Sequence, residues 1–156
     1  MNYNNASNIV KELTFNKKAK SKIMKGVDKL ARAVGSTLGA SGKCVIYEDT
    51  MGRPVITKDG VTVAESVVLM DPVENIGATL VKEAASKTVE EAGDGTTTAT
   101  ILAHSILSSF HEYEGWESLR NIKKGIDYST ERVLEYLEKI TIPADNRLIK
   151  HVAKIS

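Results

Sequence analysis

Glu91-Ala92-Gly93-Asp94-Gly95-Thr96-Thr97-Thr98-Ala99-Thr100 separates two long amphipathic patterns, one running in from Pro72 and one running out to about Tyr113. Two glycines flank one aspartate and three threonines follow, which spells a helix end, a tight turn and a new helix start. Gly93 suits a helix C-terminus, where positive φ is common. Asp94 or one of the threonines suits the N-cap of the next helix. The first turn of that helix then offers unpaired N–H groups, hydroxyls and the positive end of a dipole, a combination that holds phosphate. Asp94 adds a carboxylate for Mg²⁺, which takes one or two carboxylates together with phosphate oxygens. In isolation a capped turn between helices is the better explanation of the stretch, since Thr-rich caps are common; the rest of the chain changes that balance.

Working outward, the helix that feeds Gly93 opens at Asp71-Pro72 and carries Ile76, Leu80, Val81, Ala84, Ala85 and Val89 at helical spacing. Beyond the threonines, Ile101, Leu102, Ile106 and Phe110 form a second stripe that ends at Gly115. A third runs through Leu119, Ile122, Ile126, Val133, Leu137 and Ile140, from about Trp116, and Ile142-Pro143 stops it. Toward the N-terminus, Ile23, Val27, Leu30, Val34 and Leu38 predict an amphipathic helix from about Asn16, its candidate N-cap. Residues 1–8 read as a polar tail and Ile9 to Phe15 as a short strand. Cys44–Tyr47 and Pro54–Thr57, joined through Asp49–Arg53, read as a β-hairpin, and Val61–Val68 as a short helix. The fold class is mainly α, multihelical, with one small hairpin.

Composition narrows the function classes. The chain has 156 residues, a formal net charge of +1 and 5% aromatics, so the core is expected to be aliphatic. Near-neutral charge gives no drive toward nucleic acid or an anionic membrane, and no run reaches the roughly 20 apolar residues that span a bilayer. The basic run Lys17 to Lys22 reads as a solvated helix face. Cys44 is the only cysteine, which excludes an intrachain disulfide and fits a reducing, cytoplasmic compartment; the polar N-terminus shows no secretory signal. His104, His111 and His151 are too scattered for a metal site and read as surface or packing residues.

Two further loops hold chemistry. Gly39-Ala40-Ser41-Gly42-Lys43 ends like a phosphate-binding P-loop, but Thr37 stands where its first glycine belongs, Cys44 follows the lysine, and a helix rather than a strand precedes it. Its glycines still let backbone approach a ligand. Lys58-Asp59-Gly60 offers a lysine and a second carboxylate; Asp59 could join Asp94 around a metal–phosphate unit or orient an attacking water. Each loop alone reads as structural. Together they form a nucleotide-phosphate inventory, with no serine–histidine–acid set for acyl hydrolysis.

These motifs resemble the group I chaperonins, the ring-forming ATP-driven foldases. The resemblance is carried by Thr37-Leu38-Gly39, Val55 to Val61 with its Thr57-Lys58-Asp59-Gly60, Glu74 to Ala78, Val81 to Lys87 and Ala92 to Thr100. It implies that Thr37, Leu38, Gly39 and Ala40 lie along ATP, and that Lys58 and Asp59 flank its phosphates, Asp59 with a catalytic role. It further implies close approach at Gly60, Mg²⁺ on Asp94, and phosphate oxygens cradled by Gly95, Thr96, Thr97 and Thr98. Residues 9–140 would be the N-terminal part of an equatorial ATP-binding domain and residues 141–156 the start of the intermediate domain. The apical domain and the C-terminal equatorial part would lie outside these residues, so this segment alone is expected to hydrolyse ATP poorly. Implied partners are further copies in a homo-oligomeric ring, unfolded protein clients and a co-chaperonin. The family's Pro-Lys after Thr-Leu-Gly is Ala40-Ser41 here, which removes a rigid residue and a positive charge; the connector after Phe110, with Trp116, also differs. An alternative of another class is a truncated chaperonin-like interaction protein that caps or modulates another ring without catalysis.

Overall fold

The structure is a computed structural model that describes residues 14–155. The expected polar tail and all but the last two residues of the expected first strand lie outside the described residues. Described elements run α1 (Asn16–Gly35), β1 (Val45–Glu48), β2 (Pro54–Thr57), α2 (Gly60–Ser66), α3 (Pro72–Ala92), α4 (Thr96–Glu112), α5 (Leu119–Ile140) and α6 (Asn146–Ile155). They fall into two compact units that divide between Glu112 and Tyr113.

In the first unit α1 is the hub, packing on α2, α3 and α4. Its Val27, Leu30 and Val34 meet Val63 and Ala64 of α2 and Ala78 and Val81 of α3 in one aliphatic core. Burial of each large aliphatic side chain contributes about 1.5–3 kcal/mol. Two glycines set the α1–α3 crossing. A Cβ on Gly26 would stand 1.8 Å from the Glu74 carbonyl oxygen, and one on Gly77 would stand 2.2 Å from that of Ile23. The backbones touch because neither helix carries a side chain there. Lys22–Asp71 at 2.6 Å and Lys29–Glu74 at 2.5 Å flank the crossing.

The expected α3 opening is present: Asp71 accepts from the Val73 and Glu74 amides at 2.9 and 3.1 Å, and Pro72 sits in the first turn. The Lys22 ammonium, ahead of those amides, holds the Asp71 carboxyl below its usual range. The apolar stripe is shifted from expectation. The buried face of α3 is Val73, Gly77, Ala78, Val81 and Ala85, whereas Ile76 and Leu80 are 52% and 56% exposed. Close packing on α1 selects small residues and turns the larger ones outward. Likewise Leu38 lies past the end of α1 and is exposed. Asn16 is no cap: it is the first helical residue, at φ 58°, behind Phe15 in the N-cap position.

β1 and β2 pair antiparallel with Ile46 opposite Ile56 and Val45 opposite Thr57. Asp49 ties the turn by accepting from the Met51 and Arg53 amides at 2.8 and 2.9 Å. The first strand starts one residue later than expected, at Val45.

The second unit contains α5 and α6. Ser118 caps α5, accepting from the Asn121 amide at 3.3 Å, and Asp145 accepts from the Leu148 amide at 2.7 Å at the start of α6. α5 buries none of its residues.

Candidate functional site

The loop after α1 is wound tightly. Ser36 and Thr37 hydroxyls each donate back to carbonyls of the last turn, Ala33 and Val34, at 2.7 Å. The Lys43 amide returns to the Ser36 carbonyl at 2.8 Å. Gly39 has φ +73°, and a Cβ on Gly42 would strike the Thr37 carbonyl oxygen at 2.2 Å. Leu38, Gly39 and Ala40 are exposed on the outside of this loop.

Lys58 and Asp59 follow β2. Asp59 is the N-cap of α2: its carboxylate accepts from the Val61 amide at 3.3 Å, the Thr62 amide at 2.9 Å and the Thr62 hydroxyl at 2.5 Å. That hydroxyl, ahead of the two amides, lowers its pKa against the opposing effect of burial. Lys58 is exposed. Sequence reasoning missed the Thr62 contact, although Asp at N-cap with Thr three residues on is a readable capping pattern.

Gly93 ends α3 in the left-handed region at φ +76°, as expected, with its amide on the Val89 carbonyl at 2.7 Å. The start of α4 differs from expectation. Gly95, at φ +104°, takes the N-cap position, its carbonyl accepting from the Ala99 amide at 2.8 Å. Neither Asp94 nor a threonine caps the helix. Asp94 is exposed and folds one oxygen onto the Gly95 amide at 2.6 Å. A glycine cap has no side-chain oxygen, so the first-turn amides of α4 are left for another acceptor. Among the described residues no group of three His, Cys, Asp or Glu side chains could hold a metal.

Three loops distant in sequence converge. The Thr37 and Thr97 hydroxyls lie 3.4 Å apart across 60 residues. A Cβ on Gly60 would stand 2.1 Å from the Thr97 hydroxyl and 3.3 Å from that of Thr37. Beside them Thr96 is only 5% exposed, and its hydroxyl has no partner among the described residues. A buried orphan hydroxyl is costly, by about 1–3 kcal/mol, and an oxygen-rich anion at the α4 N-terminus would relieve it. Thr98 is exposed on the same first turn. Thr37, Gly60 and Thr97 therefore meet directly. Lys58 and Asp59 lie within two residues of Gly60 in sequence, and Asp94, Gly95, Thr96 and Thr98 within three of Thr97.

Helix N-terminus, orphan hydroxyl and glycine-permitted contact fit an oxygen-rich anion. The TCP-1/cpn60 chaperonin family model matches residues 30–156; the chain belongs to that family. Among solved structures it is similar to the chaperonin gp146 from bacteriophage EL 2 (Pseudomonas aeruginosa), crystallised in the presence of ATP-BeFx. Against crystal form II the TM-score is 0.70 at 35% identity, covering 83% of this chain and 22% of that one. Against form I it is 0.71 at 32% identity, covering 85% and 24%. The chain thus spans about a quarter of the length of those chaperonin chains. The mainly helical fold with its small antiparallel hairpin is that of a chaperonin equatorial domain.

Proposed function

We propose that this chain is the N-terminal part of the ATP-binding equatorial domain of a chaperonin subunit, one that hydrolyses ATP in a ring to drive folding of unfolded proteins. The observation that carries the reading is the convergence of Thr37, Gly60 and Thr97 beside the orphan Thr96 hydroxyl. Thr96, Thr97, Thr98 and the Gly95–Thr98 amides would receive phosphate oxygens, and Thr37, Leu38, Gly39 and Ala40 would run along the nucleotide. Lys58 would balance phosphate charge, and Gly60 would keep the approach open. Mg²⁺ held by Asp94 would supply charge screening at the transferred phosphate. Asp59 is kept ionised by its cap bonds, which suits an acceptor that orients a water better than a base that must take a proton.

Residues 9–140 are read as equatorial and residues 141–156 as the start of the intermediate domain. Ring partners, unfolded clients, a co-chaperonin and a cytoplasmic location belong to the same proposal. No helix among the described residues is long and apolar enough to cross a membrane.

The test is nucleotide calorimetry with and without Mg²⁺, combined with steady-state hydrolysis. The 156-residue chain should bind ADP in a Mg²⁺-dependent way with little turnover. Asp94→Ala should abolish the Mg²⁺ dependence while leaving the circular dichroism unchanged, because Asp94 caps no helix. Loss of the fold in Asp94→Ala would return that residue to a purely structural role.

A further inference from the structure

α2 is only seven residues long and begins at the three-loop junction: Gly60 is its first residue and lies against Thr97 and Thr37. Its other end is held from outside. Lys82, near the middle of α3, donates through Nζ to the Glu65 carbonyl at 3.3 Å and to the Val67 carbonyl. These are orphan acceptors at the negative end of a helix, where a cation is favoured. Two neighbouring carbonyls are satisfied locally, Val63 by the Ser66 hydroxyl at 2.8 Å and Ala64 by the Val67 amide at 3.4 Å. Lys82 is half-buried, and burial lowers its pKa against the opposing charge of Glu65. An ammonium set there needs acceptors, and the two carbonyls supply them.

We propose that Lys82 is a positioning residue for the Thr37–Gly60–Thr97 junction: by fastening the C-terminal end of α2 to α3, it sets where α2 presents Gly60 to Thr97. For its consequence on binding this rests on the nucleotide reading above. The core does not fix that placement alone. Val63 and Ala64 bury one side of α2, but apolar burial is non-directional and does not set rotation about the helix axis or sliding along it. Hydrogen bonds do. At the N-terminal end the Asp59 carboxylate bonds only to Val61 and Thr62 of α2 itself. Ser66 likewise bonds within the helix. Among the described residues, the hydrogen bonds that reach α2 and its C-cap from another helix are those of Lys82. Two helical turns, about 10 Å, move as one body, so a shift at Val67 is carried to Gly60. There is no slack to absorb it, because the Thr97 hydroxyl lies 2.1 Å from where a Gly60 Cβ would stand. α3 itself ends at Gly93, ahead of Asp94, so the same bonds tie α2 to the helix that leads into the other loop.

The experiment has two arms on the full chain, with three substitutions. Lys82→Met keeps the aliphatic stem and removes the donors, whereas Lys82→Arg keeps donors and charge. Lys29→Met removes the Lys29–Glu74 pair between α1 and α3 and controls for a general loosening of α3. In amide NMR without nucleotide, the Gly60 and Thr97 signals should shift in Lys82→Met, return toward the parent positions in Lys82→Arg and stay put in Lys29→Met. In ADP·Mg²⁺ calorimetry, Lys82→Met should weaken binding about three- to tenfold, with Lys82→Arg within about twofold of the parent and Lys29→Met unchanged. Parent-like signals and affinity in a folded Lys82→Met chain would overturn the positioning role and leave the nucleotide site standing. So would a loss that Lys82→Arg does not restore, or a Lys82→Met chain that does not fold, since Lys82 would then serve packing or the fold at large. Signals that shift in Lys82→Met and return in Lys82→Arg, in a protein whose parent binds no ADP, would overturn the nucleotide reading and leave the positioning role in place.

Discussion

The two units use the same kind of helix to opposite ends. Residues 14–112 bury small and medium aliphatics so tightly that backbones touch at Gly26 and Gly77. Residues 113–155 have the more regular heptad-like stripe, Leu119, Ile126, Val133 and Ile140, all exposed, and no residue of α5 is fully buried. Periodicity therefore reports that a face is apolar, not that anything covers it. In the first unit the cover is valine and leucine, brought close by glycines that score poorly as hydrophobic signals yet let the backbones touch.

The contrast can be broken most forcefully in the core. Leu30, fully buried, should cost about 2–5 kcal/mol when changed to Ala, whereas Ile126→Ala, on a half-open face, should cost less than about 1 kcal/mol. Urea unfolding would check both, and equal costs would mean that α5 is as well packed as α1. Glycine substitution sharpens the point with a change of sign. Gly77→Ala puts a methyl on the Ile23 carbonyl and should destabilise by about 1–3 kcal/mol. Gly125→Ala on α5 meets nothing within 4 Å and should stabilise by up to about 1 kcal/mol through helix propensity. Thermal melts that moved the same way for both would defeat the distinction.

The smallest effect is electrostatic. The folded Asp71 carboxyl titrates below its unfolded value of about 3.9. Its contribution is therefore complete above that value and lost as pH falls through the folded pKa. Asp71→Asn should melt below the parent at pH 7 and converge with it near pH 2. A gap that persisted at pH 2 would show that the charge of Asp71 is irrelevant.

Much of this was legible in the chain itself. Asp71-Pro72 named a helix start, Gly93 a left-handed stop, and the spacing of Val27, Leu30 and Val34 a buried face. The hairpin followed from two β-rich runs around Asp49–Arg53. Less was legible where a partner decides the outcome. Nothing local says that Ile76 and Leu80 face out, because α1 selects the Gly77 side instead. Nothing local says that Gly95 rather than Asp94 caps α4, because both are good turn residues and the left-handed φ at Gly95 settles it. The three loops stood out in the sequence as candidates for holding phosphate. Their meeting at Thr37, Gly60 and Thr97 spans 60 positions and needed the fold.

That meeting point gives the most direct measurement: ADP·Mg²⁺ binding to Gly60→Ala by calorimetry, with amide spectra confirming that the core is intact. The added methyl would push on the Thr97 hydroxyl, so affinity should fall at least tenfold, about 1.4 kcal/mol, while the core stays folded. Unchanged affinity in a folded Gly60→Ala protein would contradict the assignment of the Thr37–Gly60–Thr97 junction as the nucleotide site.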